Sequence, residues 1–206
     1  MSTQLLFATR LYRAELAADR GFEAFNEDLE DSSRMMEAED GAGQAWSKQN
    51  GYRGYTSYSS PGELWTRATA FGDLKRKLDK HAGLFAADLG LDLDGRRLRL
   101  DSLWVNVLKP GGGHSGHLHP HSVLSGTYYV SVPPGAAGLK LEDPRLPMMM
   151  AAPMRLADAP EDQKSFVLVT PQAGTVLMWE SWLRHEVPPS RSKADRISIS
   201  FNYGWR

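Results

Sequence analysis

The 206-residue chain contains no cysteine, almost no excess charge and no long apolar run. Without cysteine it has no disulfides, iron–sulfur clusters, Cys-ligated zinc or thiol nucleophile. Its 24 Lys and Arg against 25 Asp and Glu give a formal net charge of −1. The densest basic stretch is Arg96-Arg97-Leu98-Arg99, whereas nucleic-acid binding requires clustered Lys and Arg that neutralise phosphates. We therefore expect no nucleic-acid partner.

Near the N-terminus, the only apolar run is Leu5-Leu6-Phe7-Ala8. This run is too short for a signal peptide or a membrane-spanning helix. We therefore expect a cytoplasmic protein without a membrane partner. The length predicts a single domain over residues 1–206, and a homodimer is the common state of soluble bacterial enzymes.

The first half of the chain has helical patterns. Phe22, Phe25 and Leu29 recur at helical spacing, which predicts one amphipathic helix between Asp19 and Asp40. A second helix is expected to begin at Ser60-Pro61-Gly62-Glu63, which reads as a capping box with proline at the first helical position. We expect these helices, within residues 1–95, to support one face of a sheet.

The second half, residues 96–206, changes to a period of two with frequent turn residues, which is typical of short strands. Eight strands are predicted, over 97–108, 116–119, 125–132, 138–142, 165–170, 175–179, 184–187 and 196–205. The fold class is thus α+β, with a double-stranded β-helix (a jelly roll, cupin-like) at its core. The Met- and Pro-rich segment 144–163 is expected to be a long loop, either a binding loop or a simple insertion.

Four of the six histidines lie close together, at His114, His117, His119 and His121. In a strand, residues two apart point to the same side, so His117 and His119 can present two imidazoles to one metal ion. His185 offers a third ligand from a later strand. Each histidine alone is equally compatible with an ordinary solvent-exposed or edge-strand residue.

The last predicted strand alternates apolar residues with Arg196, Ser198, Ser200 and Asn202. A solvent-facing polar side is the more common arrangement. If that side instead faces the barrel interior, Arg196 becomes a buried guanidinium that requires an anion. Its fork suits a carboxylate, and Ser198 donates alongside it.

These residues carry a family resemblance. The segments from His117 to Val130, from Ser181 to Val187 and from Arg196 to Asn202 resemble the bacterial and phage 2OG-Fe(II) oxygenases, which use Fe(II) and 2-oxoglutarate. The resemblance implies a jelly-roll dioxygenase that oxidises a small-molecule or peptide substrate and converts 2-oxoglutarate to succinate and CO2. It also implies that His117, His119 and His185 bind iron, and that Arg196 with Ser198 binds the distal carboxylate of 2-oxoglutarate.

The sequence departs from the usual pattern at one ligand. His119 stands where most such oxygenases have Asp or Glu, so the site is either a three-His site or is completed by Glu142, Asp143 or Glu180, or uses His121 instead of His119. Asn106 and Tyr128 are expected to reach 2-oxoglutarate, while Trp104 and Trp182 are expected in the core.

Two other functions compete with the oxygenase. One is a cupin-like three-His metalloenzyme that does not use 2-oxoglutarate. The other is a non-catalytic jelly-roll binding module with incidental histidines. The metalloenzyme predicts activity without 2-oxoglutarate and indifference to Arg196→Ala, whereas the binding module predicts no tightly bound metal and no thermal shift with Fe(II) analogues.

Overall fold

The computed structural model describes residues 2–60 and 62–205, and it contains three helices and ten strands within those ranges. The helices are α1 (Phe22–Glu39), α2 (Gly41–Gln49) and α3 (Thr69–Asp88). The strands are β1 (Tyr12–Glu15), β2 (Gly54–Thr56), β3 (Arg99–Leu108), β4 (His114–His117), β5 (Leu124–Ser131), β6 (Leu139–Glu142), β7 (Phe166–Val169), β8 (Thr175–Glu180), β9 (His185–Val187) and β10 (Arg196–Gly204). No helix in the described part of the chain is long and apolar enough to cross a membrane.

The strands form two antiparallel sheets. The larger has the order β1-β8-β5-β10-β3-β2, and the smaller has the order β4-β9-β6-β7. All eight predicted strands are present, with ends that differ by up to two residues. This arrangement confirms the expected α+β class with a jelly-roll core.

The outer face of the larger sheet is apolar and carries the helices. Ile199, Phe201 and Tyr203 of β10 are fully buried there in one cluster with residues of α1 and α3, such as Leu29 and Leu78. Phe201 faces Gly126 of β5, where an added Cβ would lie 2.4 Å from the Phe201 ring. Glycine at this position therefore lets the aromatic ring close against the sheet. The expected packing of helices on one sheet is confirmed.

Polar bonds fix the same two helices to the sheet. The Tyr203 hydroxyl donates to Asp79 of α3 at 2.8 Å, and the Tyr128 hydroxyl donates to Asn26 of α1 at 2.7 Å. Burial raises the pKa of both tyrosines, so both hydroxyls keep their protons and remain donors. These bonds set how the helices lie on the outer face.

The predicted start of the second helix is wrong. Leu64–Thr66 forms a single 3-10 turn, and α3 begins only at Thr69. The reason lies at Ser60, whose hydroxyl donates to the Asp40 carboxylate at the end of α1 and so does not cap a helix. Pro61 lies outside the described residues.

Residues 144–163 connect β6 to β7 without regular structure except two short 3-10 turns. Met148, Met150 and Met154 are exposed in this connection. The expectation of a long loop is therefore confirmed.

Candidate metal centre

The inner face of the larger sheet is polar. Strand pairing aligns Ser198 of β10 with Asn106 of β3 and with Tyr129 of β5, and it aligns Ser200 with Thr127. The Thr56 hydroxyl donates to Asn106, which donates to Ser200 at 3.1 Å. Because these side chains are bonded to each other and all except the partly buried Ser200 are buried, the polar face of β10 lies in the barrel and not in solvent. The expectation that the polar side of this strand faces solvent, the more common arrangement, was therefore wrong.

Three histidines meet at one end of this interior. His117, His119 and His185 each offer one ligand atom, and these atoms lie within 4.8 Å of one another. The pairing of β4 with β9 sets His117 directly opposite His185, with ring centroids 4.4 Å apart. His119 follows β4, where its backbone N–H donates to the carbonyl of Ser181 at 3.0 Å, and its ring stacks on that of His185.

Hydrogen bonds orient two of the three imidazoles. Nδ1 of His117 lies 2.7 Å from the carbonyl of Ser115, and Nδ1 of His185 lies 2.9 Å from the carbonyl of Leu183. A carbonyl only accepts, so each Nδ1 carries the proton and each Nε2 keeps a lone pair for a metal ion. Nδ1 of His119 lies 3.5 Å from the amide nitrogen of Asn202.

Burial keeps two of these three imidazoles neutral. It lowers the pKa of His119 and of His185, to about 4 and about 3 respectively, and the neighbouring His117 adds to both effects. Neutral imidazole is the form that binds a metal. His119 and His185 are therefore in the form that binds a cation at neutral pH.

None of the alternative third ligands joins this group within the described residues. Glu142 pairs with Arg184 at 3.2 Å, and Asp143 pairs with Arg145. Glu180 ends β8 outside the group. His121 is exposed, beyond β4, in a left-handed conformation with φ 71°. The geometry thus gives a group of three imidazoles without a carboxylate.

Arg196 lies deeper in the same interior and is only 4% exposed. Its Nη1 donates to the carbonyl of Ala137 at 2.8 Å and its Nη2 to the Ser198 hydroxyl at 3.4 Å. Its Nε is buried without a hydrogen-bond partner, and no Asp or Glu in the described ranges forms an ion pair with it. A buried guanidinium in this state is costly, so the position suits an added anion.

The two neighbouring tyrosines of β5 point to opposite faces, and this corrects one predicted residue. Tyr128, expected near 2-oxoglutarate, lies on the outer face against Asn26, whereas the Tyr129 ring lies 5.4 Å from the Arg196 guanidinium. The sequence contained a signal for this, because Tyr129 and not Tyr128 shares the phase of the polar Ser125 and Thr127.

Two predicted tryptophans and one tyrosine that was not predicted lie in or near this part of the molecule. Trp104 is buried on the inner face with its ring 5.9 Å from that of His119, so its expected burial is confirmed. Trp182 is 46% exposed and lies outside the core, contrary to expectation. Tyr52, which precedes β2, places its hydroxyl 2.7 Å from Nε2 of His114, and no sequence pattern indicated this pair.

Comparison with known proteins agrees with this geometry. The family model described as "Putative 2OG-Fe(II) oxygenase" matches residues 102–202, which include the three histidines and Arg196. The segment over residues 102–202 belongs to the 2OG-Fe(II) oxygenase family. Membership in this family confirms the resemblance found in the sequence, and with it the expected class of enzyme. No curated protein matches the chain.

Solved structures with the same fold are distant in sequence from this 2OG-Fe(II) oxygenase. A prolyl-4-hydroxylase from Pseudomonas putida is 18% identical, with a TM-score of 0.61 over 96% of this chain and 94% of that one. HygX from Streptomyces hygroscopicus, solved with nickel and 2-oxoglutarate, is 16% identical, with a TM-score of 0.59 over 96% and 83%. The epimerase SnoN, solved with Fe3+, alpha ketoglutarate and nogalamycin RO, is 14% identical, with a TM-score of 0.65 over 96% and 79%.

Proposed function

We propose that this protein is an Fe(II)- and 2-oxoglutarate-dependent hydroxylase, in which three histidines hold the metal and Arg196 holds the co-substrate. The observation that carries the proposal is the buried Arg196, whose Nε lacks a partner and which shares the barrel interior with the three-His group. A metal site alone does not require a buried guanidinium without an acidic partner. A dicarboxylate explains it, because one carboxylate would bind the metal and the other would pair with Arg196.

His117, His119 and His185 would bind the metal through neutral imidazole nitrogens. Imidazole is a suitable donor for Fe(II), and three ligands on one side leave positions open for other groups. Because the set contains no carboxylate, it leaves the full double charge of the ion uncompensated. That charge favours an anionic co-substrate.

Arg196 and Ser198 would bind the distal carboxylate of 2-oxoglutarate. A guanidinium grips a carboxylate through parallel hydrogen bonds, and the low dielectric of the barrel strengthens them. Tyr129 lies beneath the guanidinium, and Asn106 is fixed beside Ser198 by its bonds to Thr56 and Ser200. These neighbours would keep the arginine in place before the co-substrate binds.

When bound, Fe(II) and 2-oxoglutarate supply the oxidation, in which O2 gives one oxygen atom to a substrate C–H bond and the other to succinate as CO2 leaves. The chain contributes orientation and the exclusion of water. His185, at 5% exposure, would hold the metal and Arg196, at 4%, would hold the distal carboxylate of the co-substrate, both in an interior shielded from solvent. HygX and SnoN, whose structures contain a metal and this co-substrate, have the same fold and support this reading.

The test is metal content after anaerobic loading with Fe(II), followed by succinate formation from 2-oxoglutarate. We expect one iron per chain in the wild type and in Arg196→Ala, and succinate from the wild type alone. Bound metal with 2-oxoglutarate binding that is unaffected by Arg196→Ala would support a three-His metalloenzyme of another kind. A chain that binds no metal would support a non-catalytic binding module.

The remaining expectations stay predictions. They are a cytoplasmic location, a single domain over residues 1–206, a homodimer, and the absence of nucleic-acid and membrane partners.

A further inference from the structure

A cavity of about 530 Å³ opens beside His117 and His119. Four aromatic residues line it: Trp46, Tyr52, Tyr58 and Trp104. Enzyme pockets of this size hold small molecules or single units of larger ones. Its position beside two of the proposed metal ligands makes it the place from which a substrate would approach the metal.

The aromatic rings form a continuous wall from the metal ligands to the surface. Trp104 contacts His119 on one side, and on the other it meets Tyr58 edge to face at 5.4 Å between centroids. Tyr58 in turn meets Trp46 edge to face at 6.2 Å. Tyr58 is 58% exposed although Trp104 is only 7% exposed. The buried end of the wall, Trp104, thus lies beside the metal ligand His119, and Tyr58 reaches solvent.

The cavity is electrically neutral. None of its lining residues is Asp, Glu, Lys or Arg. Of its histidines, His117 and His119 belong to the proposed metal site, and His114 is bonded to Tyr52. Once the bound 2-oxoglutarate dianion has offset the charge of the metal, a charged group that entered here would lose water without gaining a partner of opposite charge, which is unfavourable.

The lining is nevertheless able to form hydrogen bonds. The exposed Asn50 and Ser115 contribute an amide and a hydroxyl near its rim. Aromatic faces combined with neutral polar groups fit a ring that carries C–H groups on its face and hydroxyl groups at its edge, because the partly positive C–H groups contact the negative faces of Trp and Tyr. Such a ring also presents the aliphatic C–H bond that the proposed chemistry requires.

Building on the proposed function, we infer that the substrate of this enzyme is a neutral sugar, held with the face of its ring against Trp104 and Tyr58. The rings select the saturated face, the polar rim binds hydroxyl groups, and the uncharged lining excludes acidic and amino sugars.

The experiment uses three probes that share one ring and differ only in charge: methyl β-D-glucopyranoside, the corresponding methyl glucuronide and the corresponding methyl glucosaminide. Their binding is measured by saturation-transfer NMR, with and without Zn(II) and 2-oxoglutarate. We expect the neutral probe to bind at least tenfold more tightly than either charged probe. We expect the neutral probe to bind to the aromatic wall also without metal. If the proposed metal site is wrong, the probe still binds, and if this inference is wrong, the probe does not bind under either condition.

Tyr58→Ala tests the wall itself, and because Tyr58 is half exposed this variant is expected to fold. Binding of the neutral probe should weaken at least fivefold. Trp205→Ala is the matched control, since Trp205 is 44% exposed but contacts Leu93 and Arg96 outside the cavity, and it should change nothing.

Three results would overturn the inference: no binding of the neutral probe at millimolar concentration, equal binding of a charged probe, or binding insensitive to Tyr58→Ala. N-acetyl-L-prolinamide serves as a fourth probe. If it binds more tightly than the glucoside, and depends on Tyr58, the substrate is a prolyl peptide and the sugar assignment is wrong.

Discussion

The two faces of β10 are both largely buried but chemically opposite. Ile199, Phe201 and Tyr203 join the apolar cluster under the helices, whereas Arg196, Ser198 and Asn202 line the polar barrel interior. In an ordinary half-buried strand, the polar face would be in water and carry no specific task. Here a second, smaller sheet covers it, and in the proposed function this buried polar face binds the co-substrate. One face therefore supplies stability and the other supplies the site.

The largest effect that would sharpen this comparison is on the apolar face. Phe201→Ala should lower the free energy of unfolding by about 3–5 kcal/mol, because it leaves a cavity against Gly126 that the sheet cannot close. Denaturant titration of the metal-free protein measures this. Metal affinity of the molecules that remain folded should match the wild type, and a large loss of affinity would show that the two faces are coupled.

In the barrel interior that the polar face of β10 also lines, His185→Ala of β9 should instead weaken metal binding and leave stability nearly unchanged. Loss of a partner that only orients a ligand weakens metal binding about 10–100-fold, so loss of a ligand itself should exceed about 100-fold. Competition with a chromophoric chelator measures the affinity. Since the removed group is a buried polar one, unfolding of the metal-free protein should change little. Wild-type metal affinity in this variant would exclude His185 as a ligand.

The adjacent Tyr128 and Tyr129 allow a comparison within one strand. Tyr128→Phe removes the bond to Asn26 and should cost about 1 kcal/mol of stability while 2-oxoglutarate affinity is retained. Tyr129→Leu removes the ring under Arg196 and should weaken 2-oxoglutarate binding about fivefold. Calorimetric titration of both variants measures 2-oxoglutarate affinity, and thermal melts measure stability. Weaker 2-oxoglutarate binding in Tyr128→Phe, with wild-type binding in Tyr129→Leu, would contradict the assignment of Tyr129 to the inner face.

The smallest predicted effect lies away from both faces, at Asp40. Burial tends to raise the pKa of this carboxyl, but bonds from Ser60 and Tyr55 outweigh it and lower the pKa overall. A lowered folded-state pKa means that the stabilisation is present above the ordinary aspartate pKa and is lost as the pH falls below about 4. Asp40→Asn should therefore cost up to about 1 kcal/mol at pH 7, and the difference from wild type should shrink in acid. A difference that grows in acid would contradict this sign.

Much of the fold was readable from sequence because the later strands alternate strongly and end at turn residues. β1 and β2 were missed since they are short strands within the first half of the chain, where helical patterns dominate. α2 was missed since it follows α1 after a single residue, Asp40. The second helix was placed too early because a serine bonded to a distant carboxylate looks the same in sequence as a capping serine.

The site was partly readable for a similar reason. His117, His185 and Arg196 stand in motifs and lie on predicted strands, whereas His119 lies beyond the end of β4 and is held by the bond from its backbone N–H to the carbonyl of Ser181. The aromatic wall was not readable, because Trp46, Tyr58 and Trp104 come from three separate segments that only the tertiary fold brings together. The alternation in β10 also did not show that its polar face is internal, because that face is covered by the smaller sheet, whose position a strand pattern does not reveal.

The central claim is that the polar face of β10 exists to bind 2-oxoglutarate. Its most direct test is the dissociation constant of 2-oxoglutarate for Ni(II)-loaded Arg196→Ala protein, measured by isothermal titration calorimetry beside the wild type. We predict binding at least about 100-fold weaker in the variant, since two or more charge-assisted hydrogen bonds are lost, in a protein that unfolds no more easily than the wild type. Wild-type affinity in the variant would contradict the account.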